Sequence, residues 1–180
     1  MPTRTREART VYATKQLNKQ WRAGNLPILW RKCYPALFDE QDCTLALGPQ
    51  RRNHFCEWFV AVHLFHTENV LSLVEKYPFE KKHPHKFEIL QHIFDARAKD
   101  LQFIMDMRGG KKTGVQPPDL LVYRPDFSLV RFVEVKGPGD KVHERQDANH
   151  ARIERRLCVP VETIRVKINS AESPLESPAA

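Results

Sequence analysis

Asp119-Leu120-Leu121-Val122-Tyr123 and Leu129-Val130-Arg131-Phe132-Val133-Glu134-Val135-Lys136 are two short runs rich in branched and aromatic residues. Arg124-Pro125-Asp126-Phe127-Ser128 separates them. Runs of this composition around a Pro/Asp/Ser cluster predict two strands joined by a hairpin loop. Side chains two apart on a strand share a face, so Glu134 and Lys136 project together with Val130 and Phe132. A turn near Pro125-Asp126 sets Asp119 across from the stretch Phe132 to Glu134. Two carboxylates and an ammonium then converge at one end of an otherwise apolar hairpin.

That convergence has two readings. In one it is a structural Asp–Lys–Glu cluster at a sheet rim, since D…ExK spacing arises by chance in many chains. In the other it is a magnesium site. This hard cation takes oxygen ligands in a near-octahedral shell and keeps several waters. Asp119, Glu134 and the backbone carbonyl of Val135 would supply one side of that shell. The metal would polarise a phosphoryl oxygen and generate hydroxide from a bound water. Lys136 would orient that water or offset charge growing in the transition state.

Upstream, Gln50 to about Thr67 reads as a helix that is apolar almost all round, as expected of a helix buried on most sides. Glu57 is its one formally charged side chain between Arg52 and Glu68. A carboxylate there is costly unless paired or bound to a cation, which makes Glu57 a candidate ligand. Val70 to Val74 suits a strand. Phe87, Leu90, Ile93 and Phe94 are spaced for a helix after His83-Pro84-His85. Lys99 to Met107 fits a strand or a helix equally. Arg108-Gly-Gly-Lys-Lys-Thr-Gly114 reads as a flexible basic loop; it lacks the order of a phosphate-binding glycine loop. Downstream, Lys141 to Leu157 is helical in composition and Val161 to Ile168 is a last strand.

The 180 residues suffice for one sizeable domain and carry a formal net charge of +7, a balance that favours a polyanionic partner. No stretch has the roughly 20 apolar residues of a membrane span. The charged opening Met1 to Thr10 is no secretory signal, so the expected location is cytoplasmic, or nucleoid-associated in a bacterium or phage. Cys33, Cys43, Cys56 and Cys158 show no paired spacing. His63, His66, His83 and His85 leave a zinc site open beside the plainer reading of scattered surface histidines. Residues 1–48 form a basic N-terminal region, helical or partly disordered, whose Arg and Lys side chains are either solvated or phosphate-contacting. Residues 49–169 form the main domain, and 170–180 a disordered tail.

Pro118-Asp119-Leu-Leu-Val-Tyr123, then Phe132-Val-Glu134-Val-Lys136-Gly-Pro-Gly-Asp140, then Glu144-Arg-Gln146, resembles the VRR-NUC family of PD-(D/E)XK nucleases. The match is close from Gln116 to Gln146 and looser to Ile168. The resemblance implies an α/β fold: a restriction-endonuclease-like core with a mixed central sheet flanked by helices. It also implies cleavage of DNA with Mg²⁺ or Mn²⁺. On it, Asp119 and Glu134 are metal ligands, Lys136 is the catalytic lysine, and Gln146 supports the centre from the next helix. The family's first acid lies on the first core helix. Glu57 matches it by burial, while Glu68 and Glu75 follow closely enough to leave the choice open.

The reading that follows is a metal-dependent deoxyribonuclease, with flapped, branched or free-ended DNA as the candidate substrate and a role in DNA repair. The alternatives are a nucleic-acid-binding module that does not cut and a nuclease subunit active only with a partner. Arg108, Lys111 and Lys112 before the hairpin, and Lys141 and Arg145 after it, are the candidate phosphate contacts. A homodimer is expected, since one centre cuts one strand and two would handle a duplex.

Overall fold

Chain order in the computed structural model runs β1 (Arg9–Thr14), α1 (Lys15–Arg22), α2 (Asn25–Cys33), α3 (Glu40–Leu47), α4 (Phe55–Glu68) and β2 (Leu71–Val74). It continues through α5 (Pro84–Ile93), α6 (Ala98–Met107), β3 (Leu120–Tyr123), β4 (Leu129–Lys136), α7 (Glu144–Leu157) and β5 (Val161–Asn169). The structure describes residues 8–49, 54–74, 77, 83–107, 117–140 and 144–169. The expected tail lies outside these. The strands form one mixed sheet in the order β1-β5-β4-β3-β2. The β1–β5 and β5–β4 pairs are parallel, and β4–β3 and β3–β2 are antiparallel.

The pleat divides the core. Leu120, Val122, Val133, Val135, Ile164 and Val166 join one apolar cluster with residues of β1 and of α1 to α4. Leu121, Tyr123, Phe132 and Val161 join another with residues of α5, α6 and α7. Alternate residues of each strand thus face opposite helical layers, as the two-residue period of a strand demands. A sheet covered on both faces explains why β3 reads as an unbroken apolar run.

Helix α4 is the main pillar of the first layer, with Phe55, Trp58, Phe59, Val60, Ala61, Val62 and Leu64 all buried. Trp58 stacks on Phe38 with centroids 3.8 Å apart and meets Trp21 edge-on at 5.2 Å. Such pairs add stabilisation beyond the area they bury. Asn69 ends α4 in the left-handed conformation that asparagine tolerates better than most residues (φ 52°).

Two elements differ from, or decide between, the expectations. The segment Arg9–Thr14 is a strand, although residues 1–48 read as a basic helical or partly disordered region. Val11 and Ala13 point into the core, and Thr14 Oγ1 accepts a hydrogen bond from Leu17 N at 3.1 Å to cap α1. Arg9 is bound to Glu68 at 2.7 Å rather than standing ready for a phosphate. Residues 99–107 are helical: Ile104 and Met105 face inward with Leu101 partly buried, and Gln102 bonds Asp106 one turn on at 2.7 Å. Among the described residues no helix is long and apolar enough to cross a membrane.

Truncating Trp58 to alanine removes two ring contacts from a fully buried site. Trp58→Ala is expected to cost about 3–5 kcal/mol of unfolding free energy, read from urea denaturation midpoints. A loss near the roughly 0.5 kcal/mol typical of surface changes would show that α4 is not the pillar described.

Candidate active site

The hairpin loop sets the register on which the site depends. Asp126 accepts hydrogen bonds from Ser128 N (2.9 Å) and Ser128 Oγ (2.6 Å), and Phe127 turns the chain at φ 63°. A bulge between Val122 and Tyr123 completes the adjustment, and Leu120 then pairs with Val133. One step beyond that pair, Asp119 Oδ2 accepts the backbone N–H of Val135 at 2.7 Å. The expected position of Asp119, opposite the Phe132–Glu134 stretch, follows from this register.

Glu134 and Lys136 lie on the face covered by α7, and both are under 9 % exposed. Lys136 Nζ donates to Glu134 Oε1 and to Gln146 Oε1, each at 2.9 Å. Gln146 Nε2 closes the triangle by donating to Glu134 Oε1 at 2.7 Å. From the next turn of α7, His150 Nε2 stands 3.8 Å from Glu134 Oε2.

The opposite layer contributes α4. Gly137 packs so closely against it that an added Cβ would lie 3.4 Å from Cys56 Sγ and 3.2 Å from Asp140 Oδ2. Asp140 Oδ2 in turn accepts Gly137 N at 2.7 Å, which fixes the turn leaving β4. Glu57, next to Cys56, lies within the electrostatic reach of Asp119. Tyr77 donates to the carbonyl of Pro118 at 2.9 Å and so holds the backbone just ahead of Asp119.

Electrostatics distinguish the carboxylates. Burial, then repulsion from Glu134 and Glu57, pushes Asp119 well above the ordinary carboxylate range. Burial also acts to raise Glu134, but the nearby His150 imidazole and the hydrogen-bonded Lys136 outweigh it and hold this group below its usual value. The two carboxyls are thus pushed in opposite directions, Asp119 up and Glu134 down. Burial, with Glu57, Asp140 and Asp119 nearby, drives the Cys56 thiol up to about 12. The Asp119 and Cys56 shifts share one leading cause, burial, with neighbouring carboxylates adding to it.

The structure thus brings Asp119, Glu134, Val135, Lys136 and Gln146 together, with Glu57 beside them on α4. Glu68 is elsewhere engaged, bound by Arg9 at 2.7 Å and Arg131 at 2.6 Å. Arg131 also binds Glu162 at 2.9 Å, so this is a brace between α4 and strands β1, β4 and β5. Glu75 lies outside the described residues, as do Arg108, Lys111, Lys112 and Lys141. The backbone of Arg145 falls in the first turn of α7. His150 and Tyr77 escaped the sequence reading. The Gln146–His150 spacing, one helical turn, was a usable signal; Tyr77 gave none, because its partner is 41 residues away.

Among the described residues, the group of acidic and histidine side chains whose ligand atoms all lie within 4.8 Å of one another is Asp39, Asp42 and His83, away from the hairpin carboxylates. Asp39 and Asp42 form the capping box of α3, and the buried Lys86 ammonium donates to Asp42 and to the Val74 carbonyl. A cation is already in place there, and the group reads as a structural tie between α3, β2 and α5. The other histidines have separate surroundings. His66 Nε2 bonds Tyr34 OH at 2.8 Å, His63 lies against Phe59, and His85 is exposed beside Glu88.

A mixed sheet between helices, with acids and a lysine at the end of its hairpin, defines a PD-(D/E)XK-like core. The family model of the VRR-NUC domain matches residues 49–168, and the chain belongs to that family. No curated protein matches it. A solved structure titled "Crystal structure of paFAN1 bound to 2nt 5'flap DNA with gap" is similar at 18 % identity and a TM-score of 0.28. The match covers 86 % of this chain and 22 % of that one, so the chain spans about a fifth of that protein's length.

The raised Asp119 carboxyl has a consequence for stability without metal. A native state that holds a proton more tightly than the unfolded chain loses stability as pH rises above the unfolded carboxylate value near 4. Asp119→Asn keeps an acceptor for Val135 N–H and removes the charge. In chelator, its urea midpoint relative to the natural protein is expected to rise between about pH 5 and pH 8. A constant difference across that range would show that Asp119 carries no such proton.

Proposed function

We propose that this chain is a metal-dependent nuclease that hydrolyses phosphodiester bonds in DNA. The observation that carries the reading is the buried Glu134–Lys136–Gln146 triangle beside the Asp119 carboxyl, which the Val135 N–H holds at the end of the hairpin. Membership of the VRR-NUC family supports it. Asp119, Glu134 and the Val135 carbonyl would hold Mg²⁺ or Mn²⁺, with Glu57 reaching in from α4. The donor set fits: hard oxygen ligands suit these ions, and a dication would offset the repulsion among three carboxylates. When bound, the metal supplies Lewis-acid polarisation and an acidified water.

The chain's own groups would do the rest. Asp119 would be a ligand through one oxygen, with the other held by the Val135 N–H. Lys136 offsets charge that develops on the phosphoryl oxygens. Gln146 keeps the Lys136 ammonium oriented by accepting one of its protons. Arg108, Lys111 and Lys112, which precede the hairpin in sequence, and Lys141 and Arg145, which follow it, would supply phosphate contacts. Flapped or branched DNA is the candidate substrate, and a homodimer the candidate form for cutting both strands of a duplex.

Cleavage of labelled linear, flapped and four-way-junction DNA with Mg²⁺ or Mn²⁺ tests this directly. The natural protein should cut. Asp119→Ala should lose detectable cleavage, and Lys136→Ala should fall by about 10²–10³-fold, while both still bind DNA. Equal binding by all three proteins with no cutting under either metal would replace the nuclease with a binding module.

A further inference from the structure

Glu134 is held unequally at its two oxygens. Oε1 accepts two hydrogen bonds, from Lys136 at 2.9 Å and Gln146 at 2.7 Å. Among the described residues, Oε2 faces the His150 imidazole, whose Nε2 lies 3.8 Å away. Gln146 and His150 lie four residues apart on α7, the spacing that puts both side chains on one helical face. His150 is itself largely buried, with 13 % of its side chain exposed. Neither its position nor its residue type belongs to the motif by which the family was recognised.

We propose that His150 is a positioning residue that acts through Glu134, steering Oε2 into the orientation in which it is offered to a divalent cation. The inference rests on the metal-dependent reading above. The two donors saturate Oε1, so Oε2 is the oxygen left for a metal. The separation of 3.8 Å exceeds the usual 2.7–3.2 Å of an N–H···O bond. The imidazole therefore guides the carboxylate without competing fully with an incoming ion. Without it, the carboxylate is anchored on one side alone, and its outer oxygen is free to swing as the terminal torsion of a glutamate does. Residues that orient metal ligands in this way typically govern metal affinity by about 10–100-fold. Both side chains are largely buried, which agrees with an imidazole held against this carboxylate.

The test measures Mn²⁺ binding directly, by titration calorimetry and by the paramagnetic resonance of free Mn²⁺, on the full chain. All of the proteins are measured in one buffer at the same pH. Four proteins are compared: natural, His150→Ala, His150→Gln and Asp119→Ala. His150→Ala should weaken Mn²⁺ binding by about tenfold or more, and His150→Gln, which restores an N–H donor at similar reach, should recover most of it. In cleavage assays the Mn²⁺ concentration for half-maximal rate should rise by the same factor in His150→Ala, with kcat at saturating metal within about twofold of natural. Thermal unfolding in chelator separates this from a folding defect. Natural-like Mn²⁺ affinity in a folded His150→Ala, or failure of His150→Gln to restore it, overturns the inference. If the natural protein and Asp119→Ala both fail to bind Mn²⁺, the metal-dependent reading falls first, and this inference with it.

Discussion

A buried ammonium sharing a carboxylate and an amide holds this site together. Lys136 has almost no access to water, so its charge must be met by protein groups, and Glu134 and Gln146 meet it. Asp119 is buried beside Glu134 and Glu57, and burial with these like charges pushes its carboxyl up. Breaking such a buried pair from one side is costly, about 3–5 kcal/mol, because the survivor is left uncompensated. The arrangement therefore constrains its neighbours. Strand β4 must end where it does, and α7 must present Gln146 at that height.

The sheet allows those demands to be met. Because β4 is covered on both faces, Val133 and Val135 lock it to the α1–α4 layer while Phe132 locks it to the α5–α7 layer. Glu134 and Lys136 take the places on the second face that apolar residues would otherwise fill. The anchoring is redundant, with antiparallel β3 on one side and parallel β5 on the other. A strand held from four directions can carry two charged side chains in its interior without distorting. The Glu68–Arg9–Arg131–Glu162 brace serves the opposite purpose, balancing its charges among themselves at partial exposure, where ion pairs contribute little individually.

The hairpin and its converging acids were legible because strand parity is local information. Once Leu129–Lys136 is a strand, Glu134 and Lys136 must share a face. Glu57 was legible as a charge inside an apolar helix. Strand β1 was not, because Arg9, Thr10 and Thr14 dilute its apolar pattern and its partner β5 lies at the far end of the chain. The register Arg9 with Ile164 is decided by tertiary packing that no window of sequence contains. Residues 99–107 satisfied two periodicities at once, and the burial of Ile104 beside Met105 decided between them. Tyr77 and His150 were missed because each acts on a group that sequence distance conceals. The same concealment made Asp39, Asp42 and His83 a group that only the folded chain reveals.

The pairing of β1 with β5 also orders events during synthesis. Thr14 lies beside Asn169, so the first described strand finds its only sheet neighbour in the last. A ribosome delivers roughly 5–20 residues each second, so β1 waits many seconds after emerging before its partner exists. In that interval its backbone donors and acceptors, with Val11 and Tyr12 between them, stand as an open strand edge of the kind that invites pairing with other chains. Arg9, later neutralised by Glu68, still carries its full charge then, and charge on an exposed edge is a recognised deterrent to such pairing. The residue that braces the finished sheet thus serves as a gatekeeper for the nascent one.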